Sequence, residues 1–328
     1  MIRVAVLSFW HVHAKDYAQQ VLQHPHTEIA AVWDERADRG LEEAGKLGVP
    51  YVEDLDELLQ SSDIDAVIVT APTNMHREVM VKAAQAGKHI FTEKVIAATS
   101  HEADEIISAV KQANVKMIVS LPRLNDDYTL AIQDVLSQQT LGKLTLVRIR
   151  LSHDGATRKW LPQHFFHAEQ SQGGALIDLG CHPMYLVRLF LGMPDSVSAS
   201  YGFITGQEVE DNAVSVLRYN DGAIAIVEAG FVNSYSPFSI EVHGTEGSLL
   251  YGTPEPKLLI RGDAYPDWTE LAMPESNPSA FEQWVTHIQE DTDANENITL
   301  ALDLTKLMEA SNMSAREQRP WAMAKLRR

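Results

Sequence analysis

The chain has 328 residues, 45% of them hydrophobic and 22% charged, with a formal net charge of −18. Its length is more than one small core serves, so two domains are expected, and the apolar fraction excludes a disordered chain. The acidic balance, with no basic stripe, excludes nucleic acid as a partner, because phosphate binding needs clustered Lys and Arg.

From the amino terminus, Arg3–Leu7 is a short β-branched run of the kind that forms a buried parallel strand, and a helix is expected from Ala14 to His24. A second strand, Glu28–Asp34, carries an acid at its carboxyl end. Helices over Ala37–Leu47 and Asp54–Gln60 lead to the strand Ile64–Thr70. A helix over Asn74–Ala86 stops at Gly87. The strand His89–Thr92, a helix over Ser100–Ala113 capped by Ser100, and the strand Lys116–Ser120 complete the alternation, which means a doubly wound parallel sheet, α/β in class.

Ligands of such sheets lie beyond the carboxyl ends of the strands, so the residues there are the candidates. After the first strand a dinucleotide binder normally carries glycines; this chain has Ser8, Phe9, Trp10 and His11 instead. Asp34 lies about 20 residues on, the separation expected for a carboxylate that accepts from an adenine ribose. An acid there favours NAD over NADP, and Arg36 weakens that preference. Thr70, Pro72, Asn74 and His76 follow the third strand, and Glu93 and Lys94 the fourth.

Beyond Pro122-Arg123 the pattern changes. A helix over Asp127–Gln138 precedes strand-like runs at Leu144–Leu151, Ser196–Tyr201, Ala213–Tyr219, Ala223–Ala229 and Ser239–His243, with a hairpin at Asp221-Gly222. These predict an open, mostly antiparallel sheet with a helix, Pro183–Leu191, on one face. The other face needs cover, and a second copy of the chain is the expected one, giving a homodimer or homotetramer. Closing helices are expected over Pro278–Gln289 and Ile298–Ser314. The expected boundary puts residues 1–122 in a dinucleotide-binding domain and 123–328 in a substrate-binding and oligomerisation domain.

Before that helix runs Gly173-Gly-Ala-Leu-Ile-Asp178-Leu-Gly-Cys-His182. On a helix Asp178 and His182 share one face at i and i+4, either as an acid–base pair or as a plain surface hydrogen bond. Cys181 reads as a small buried filler, and a lone cysteine excludes an intrachain disulfide framework. His153, Arg158, Lys159, Trp160, His164 and His167 are candidates for a pocket wall. The pairs His11/His13 and His164/His167 have ligand-like spacing, but no clustered carboxylates or cysteines accompany them in sequence, so no metal is expected. No apolar run reaches the roughly 18 residues of a membrane span, and Met1-Ile2-Arg3 opens no signal peptide, so the cytoplasm, away from membranes, is the expected place.

Three segments taken together, Val67–His76, Ala86–Lys94 and Gly173–His182, resemble the Gfo/Idh/MocA family of oxidoreductases, in the same order and at similar separations. The resemblance implies a Rossmann-type domain followed by an α+β domain, a nicotinamide cofactor, and a secondary alcohol of a sugar or cyclitol, a small polyhydroxylated molecule, as substrate. It implies that Lys94 stabilises the substrate oxygen, that His182 takes the hydroxyl proton, and that Asp178 orients the imidazole or binds a neighbouring hydroxyl. Two features depart from the family pattern: Val95 stands where a proline usually follows the lysine, and the phosphate loop has lost its glycines. The fold also serves glycosidases that use NAD transiently, and the altered loop leaves a non-catalytic sensor as a third reading.

Overall fold

The structure, a computed structural model, describes residues 1–253 and 255–327. The chain divides into two compact units, residues 1–120 with 278–302, and residues 121–277 with the chain from 303 onward. The first boundary lies two residues from the expected one. The second was not expected: a simple split at 122 misses the return of residues 278–302 to the first unit.

In the first unit β1 (Ile2–Leu7), α1 (Ala14–Gln23), β2 (Thr27–Trp33), α2 (Ala37–Leu47), α3 (Leu55–Gln60), β3 (Ala66–Val69), α4 (His76–Gln85), β4 (His89–Thr92), α5 (Ser100–Ala113) and β5 (Met117–Val119) follow one another. The strands form a parallel sheet in the order β2-β1-β3-β4-β5. Ala66–Val69 is buried throughout, as a strand covered on both faces must be. Strand order reverses about β1, which puts the loops after β1 and β3 on either side of the switch point.

The cap of α5 differs from the sequence expectation. Thr99, not Ser100, is the N-cap: its hydroxyl accepts from the Glu102 backbone N–H at 3.3 Å, and Glu102 reaches back to the Thr99 N–H at 3.2 Å. This reciprocal pair satisfies two helix-end donors, a capacity Ser100 lacks once it lies inside the first turn.

In the second unit α6 (Asp127–Ser137) and β6 (Leu144–Ser152) lead through the single turn α7 (Ala168–Ser171) and a π-helical turn (Leu176–Gly180) into α8 (Cys181–Leu191). Then come β7 (Ser196–Gly202), β8 (Asn212–Arg218), β9 (Ile224–Gly230), β10 (Ser239–Gly244), β11 (Gly247–Tyr251), β12 (Leu258–Gly262) and β13 (Tyr265–Leu271). With β14 (Trp321–Ala322) they form a nine-stranded sheet, ordered β13-β12-β11-β10-β6-β9-β8-β7-β14. Within this sheet, β6–β9 is the one parallel pair among the described strands. Val147 and Ile149 of β6 are buried while Leu146 and Arg148 are partly exposed, the period-2 signature of a sheet with one packed face. The stretch Ala168–Leu191 reaches a mean hydropathy of 1.2 over 18 residues, contrary to the expectation that no run would. Its α8 portion is largely buried, with Met184, Tyr185, Leu186 and Val187 fully so, and it packs on β6 and β9.

Two further helices close the chain, α9 (Ala280–Glu290) and α10 (Asn295–Glu317). In the first unit Trp284 of α9 is fully buried against Phe91 of β4, ring centroids 5.7 Å apart. Asn297 brackets β5 by accepting from the Val119 N–H and donating to its carbonyl, both at 2.9 Å. Lys116 pairs with Asp291 at 2.9 Å and Asp293 at 3.0 Å.

Thr99→Ala should lower unfolding free energy by about 1 kcal/mol, read as a shifted urea midpoint at unchanged slope. Ser100→Ala should cost less, and the reverse order would show that the capping assignment is wrong.

Candidate functional site

The loop after β1 keeps the backbone shape of a glycine turn without a glycine. Ser8 is fully buried with φ +79°, in the left-handed region. Its hydroxyl accepts from the Trp10 N–H at 3.0 Å, and its carbonyl accepts from Thr70 Oγ1 at 2.6 Å. His11 N–H donates to the Thr70 carbonyl at 3.1 Å. Ser8, Phe9, Trp10, His11 and Thr70 thus tie two strand-end loops together, and the Phe9 ring is part of the core. The backbone donors of residues 9 to 11 are spent inside the protein. His13, the N-cap of α1, makes no side-chain cap bond, and the Ala14 N–H goes to the His11 carbonyl at 3.1 Å, which leaves the N–H groups of Lys15 and Asp16 as the first-turn donors for an anion.

Asp34 is buried and its acceptors are filled. Oδ1 accepts from Arg36 N at 2.8 Å and Arg39 Nη2 at 2.7 Å; Oδ2 accepts from Phe9 N at 2.8 Å and Arg39 Nε at 2.8 Å. Four donors exhaust the in-plane lone pairs of a carboxylate. The neighbouring Glu35 is different: Oε1 pairs with Arg39, while Oε2 is buried without a partner. The open carboxylate oxygen at the end of β2 therefore belongs to Glu35, a residue that spacing did not single out although it directly follows Asp34.

After β3, Pro72 is buried and Asn74 exposed at the start of α4. His76 is fully enclosed by backbone carbonyls: Nδ1 lies 3.0 Å from Val95 O and 3.1 Å from Ile96 O, and Nε2 lies 3.0 Å from Ala71 O. Burial pushes its pKa down; the carbonyls pull the other way and lose. His76 is a clamp on the segment that follows Lys94, whose peptide bond to Val95 is cis.

Glu93 is 2% exposed and Lys94 6%. Glu93 Oε1 accepts from Tyr17 Oη and from His13 Nδ1, the latter at 2.9 Å, and lies 3.7 Å from His11 Nδ1. Oε2 accepts from the Lys94 N–H at 3.0 Å, with Lys94 Nζ at 3.5 Å. Burial alone would raise this carboxyl, but Lys94, His11 and His13 outweigh it and hold it well below the usual carboxylate range.

In the second unit the Gly173–His182 segment is set by a residue that sequence reasoning missed. Glu210, buried, accepts from the Gly174 N–H at 2.9 Å and the Leu176 N–H at 3.0 Å, and its carbonyl takes the Ala175 N–H at 2.8 Å. A Cβ on Gly174 would lie 1.9 Å from the Glu210 carbonyl oxygen, so the glycine is there for close approach. Asp178 sits on the π-helical turn and His182 on the first turn of α8. The Asp178 charge is felt by His153, which stacks on Phe231 with centroids 5.1 Å apart and whose pKa burial lowers.

His182 Nδ1 is 3.0 Å from Tyr185 Oη, and Oη also accepts from the Arg123 N–H at 3.0 Å. Tyr185 is fully buried, and His182 Nδ1 faces its hydroxyl. His182 Nδ1 and the Tyr185 hydroxyl share one hydrogen, and which of them donates follows the imidazole tautomer. Cys181 is buried, as expected of a filler. Trp160 packs on His153 at 4.5 Å, whereas Arg158 pairs with Asp154 at 2.7 Å and His167 is exposed.

Residues 2–121 match the family model described as an oxidoreductase family with an NAD-binding Rossmann fold, and residues 129–250 match the GFO/IDH/MocA C-terminal domain. The chain is 30% identical over 231 residues to myo-inositol 2-dehydrogenase of Thermotoga maritima, covering 68% of this chain and 67% of that one. It is 29% identical over 231 residues to 1,5-anhydro-D-fructose reductase of Ensifer adhaerens, covering 68% of each. A solved structure described as a putative NADPH-dependent oxidoreductase from Desulfitobacterium hafniense superposes with TM-score 0.86 at 20% identity, over 99% of this chain and 98% of that one.

His76 is protonated more readily in the unfolded chain than in its buried site. Its stabilising share is therefore present above about pH 6.5 and is lost as pH falls towards its depressed folded value. Unfolding free energy should drop between pH 7 and pH 5, and His76→Gln, which keeps a donor, should make that slope shallower by up to ~1.4 kcal/mol per pH unit. Urea titrations at several pH values test this; an unchanged slope in His76→Gln would assign the pH dependence elsewhere.

Proposed function

We propose, from the premise that this chain belongs to the GFO/IDH/MocA family of oxidoreductases, that it exchanges a hydride between a nicotinamide dinucleotide and a secondary alcohol carbon of a sugar or cyclitol. The observation that carries the reading is Lys94, a buried ammonium at the carboxyl end of β4 in the unit that matches the NAD-binding domain. The names of the relatives, an inositol dehydrogenase and an anhydrofructose reductase, support a polyhydroxylated substrate.

The residues present suit the cofactor. The uncapped start of α1 offers backbone donors to a pyrophosphate, and Glu35 Oε2, buried and unpartnered, offers an acceptor to a ribose hydroxyl. Asp34, Glu35 and Asp38 stand beside Arg36 and Arg39, which those carboxylates already neutralise. A 2′-phosphate would meet net negative charge there, so the preference is for NAD, with Glu35 in the role that spacing gave to Asp34.

When bound, the nicotinamide supplies the hydride acceptor or donor. Lys94 stabilises negative charge on the substrate oxygen, and Asp178 binds a neighbouring hydroxyl or orients His182. His182 works at Nε2. The tautomer in which Tyr185 donates to Nδ1 presents Nε2–H and suits donation to a carbonyl oxygen. Accepting a proton from the alcohol takes the other tautomer, in which Nδ1–H donates to the Tyr185 oxygen. The same reading seats a second copy of the chain on the outward face of the nine-stranded sheet, where Ile224 is exposed.

Calorimetric titration should give NAD binding tighter than NADP by about tenfold or more, narrowed in Glu35→Gln. In an absorbance assay over inositols and sugars, Lys94→Ala and His182→Ala should each lower kcat by about 100- to 10,000-fold while NAD affinity holds within about threefold. No NAD binding, or full kcat in Lys94→Ala, would sink the proposal.

A further inference from the structure

The His11-x-His13 pair has a chemistry that the reaction does not use. Both imidazoles meet the carboxylate of Glu93, about 80 residues further along the chain, and one ligand atom from each of the three residues lies within 4.8 Å of the others. The geometry points to a divalent transition-metal site, Zn²⁺ or a similar first-row ion, held by His11, His13 and Glu93.

Two imidazoles and one carboxylate are a known donor set for zinc, which takes His nitrogen at about 2.0–2.1 Å and carboxylate oxygen at about 2.0–2.2 Å in tetrahedral sites. Glu93 Oε1 is 2.9 Å from His13 Nδ1 and 3.7 Å from His11 Nδ1, separations that bracket those of tetrahedral ligands. The rings stand edge to face, centroids 4.8 Å apart at 61°, so their nitrogens can converge as those of stacked rings cannot. His11 and Glu93 are buried, while the His13 side chain is 42% exposed, which gives an ion a way in and leaves a fourth position towards solvent.

The surroundings add support. Tyr17 Oη, anchored to Ser120 Oγ at 2.8 Å, hydrogen-bonds the same carboxylate oxygen, the outer-shell arrangement that fixes a metal-binding carboxylate. Lys94 approaches the other oxygen, Oε2, so the carboxylate divides its two oxygens between the ammonium and the histidines. On binding, the ion replaces the proton that His13 Nδ1 shares with Glu93, which leaves to buffer, and takes the His11 Nδ1 lone pair from the His13 backbone N–H that donates to it at 3.3 Å. All of these groups belong to the first unit, and because Lys94 there also serves the proposed reaction, the test reads metal binding and not activity.

The test uses the purified full chain, stripped with a chelator and dialysed. Co²⁺ should bind with one ion per chain and visible absorption of a tetrahedral nitrogen–oxygen site, and Zn²⁺ should displace it with a dissociation constant on the order of micromolar or tighter. His13→Gln, half-exposed and so expected to fold, should weaken binding by about 100-fold or more, and His11→Gln likewise, while His167→Gln in the other unit leaves it unchanged. No stoichiometric binding by the unaltered chain, or undiminished binding in His13→Gln, would overturn the inference.

Discussion

A carboxylate as deeply buried as Glu93 stays ionised only if donors and cations surround it, because desolvation works against its charge. Those groups come from three places: Tyr17 and His13 from α1 and its cap, His11 from the loop after β1, and Lys94 from the next residue. The first unit's functional loops are arranged by this demand. Tyr17 reaches Glu93 from α1 and Ser120 from the end of β5, so one side chain joins a helix to two strand ends. His76 holds the far side of the same segment through the carbonyls of Val95 and Ile96. Lys94 therefore sits between two fixed points, and its ammonium is positioned by packing rather than by the loop alone.

The second unit answers a similar demand with opposite chemistry. Glu210 has backbone N–H groups as donors and no cation against it among the described residues, so burial, which acts the same way on both carboxyls, wins here and raises its pKa. Its two bonds pin the entry to the π-helical turn, and Gly174 permits the contact. Downstream, the Tyr185 hydroxyl holds His182 while accepting from the Arg123 backbone. Asp178 and His182 thus stand on a turn and the following helix, with the start of the turn and His182 both hydrogen-bonded.

Much of this was legible in sequence wherever the signal is local. Five runs became the parallel sheet, with no end shifted by more than two residues, and the glycine-led segment before α8 was legible as a turn entering a helix. Signals that depend on distant partners were not legible. Spacing locates Asp34 but does not say that Arg39 and the Phe9 N–H will occupy it, nor that Glu35 keeps an open oxygen. The histidine pair looked unaccompanied because its carboxylate lies in another loop. Strands β11 to β13 escaped notice for a different reason: they edge the sheet among glycines and prolines, and β13 is almost wholly exposed, so no apolar alternation marks it.

The glycine-free loop is best understood by where its bulk goes. Ser8 adopts a left-handed backbone at a cost of about 1 kcal/mol relative to glycine, offset by the hydrogen bond its hydroxyl accepts from Trp10 N. Phe9 packs into the core, and Trp10 is 5% exposed. What remains outside is Val12 and the half-exposed His13. The substitution of glycines therefore changes which groups the loop presents: the backbone donors of residues 9 to 11 are turned to internal work, His11 is buried and His13 is half-exposed.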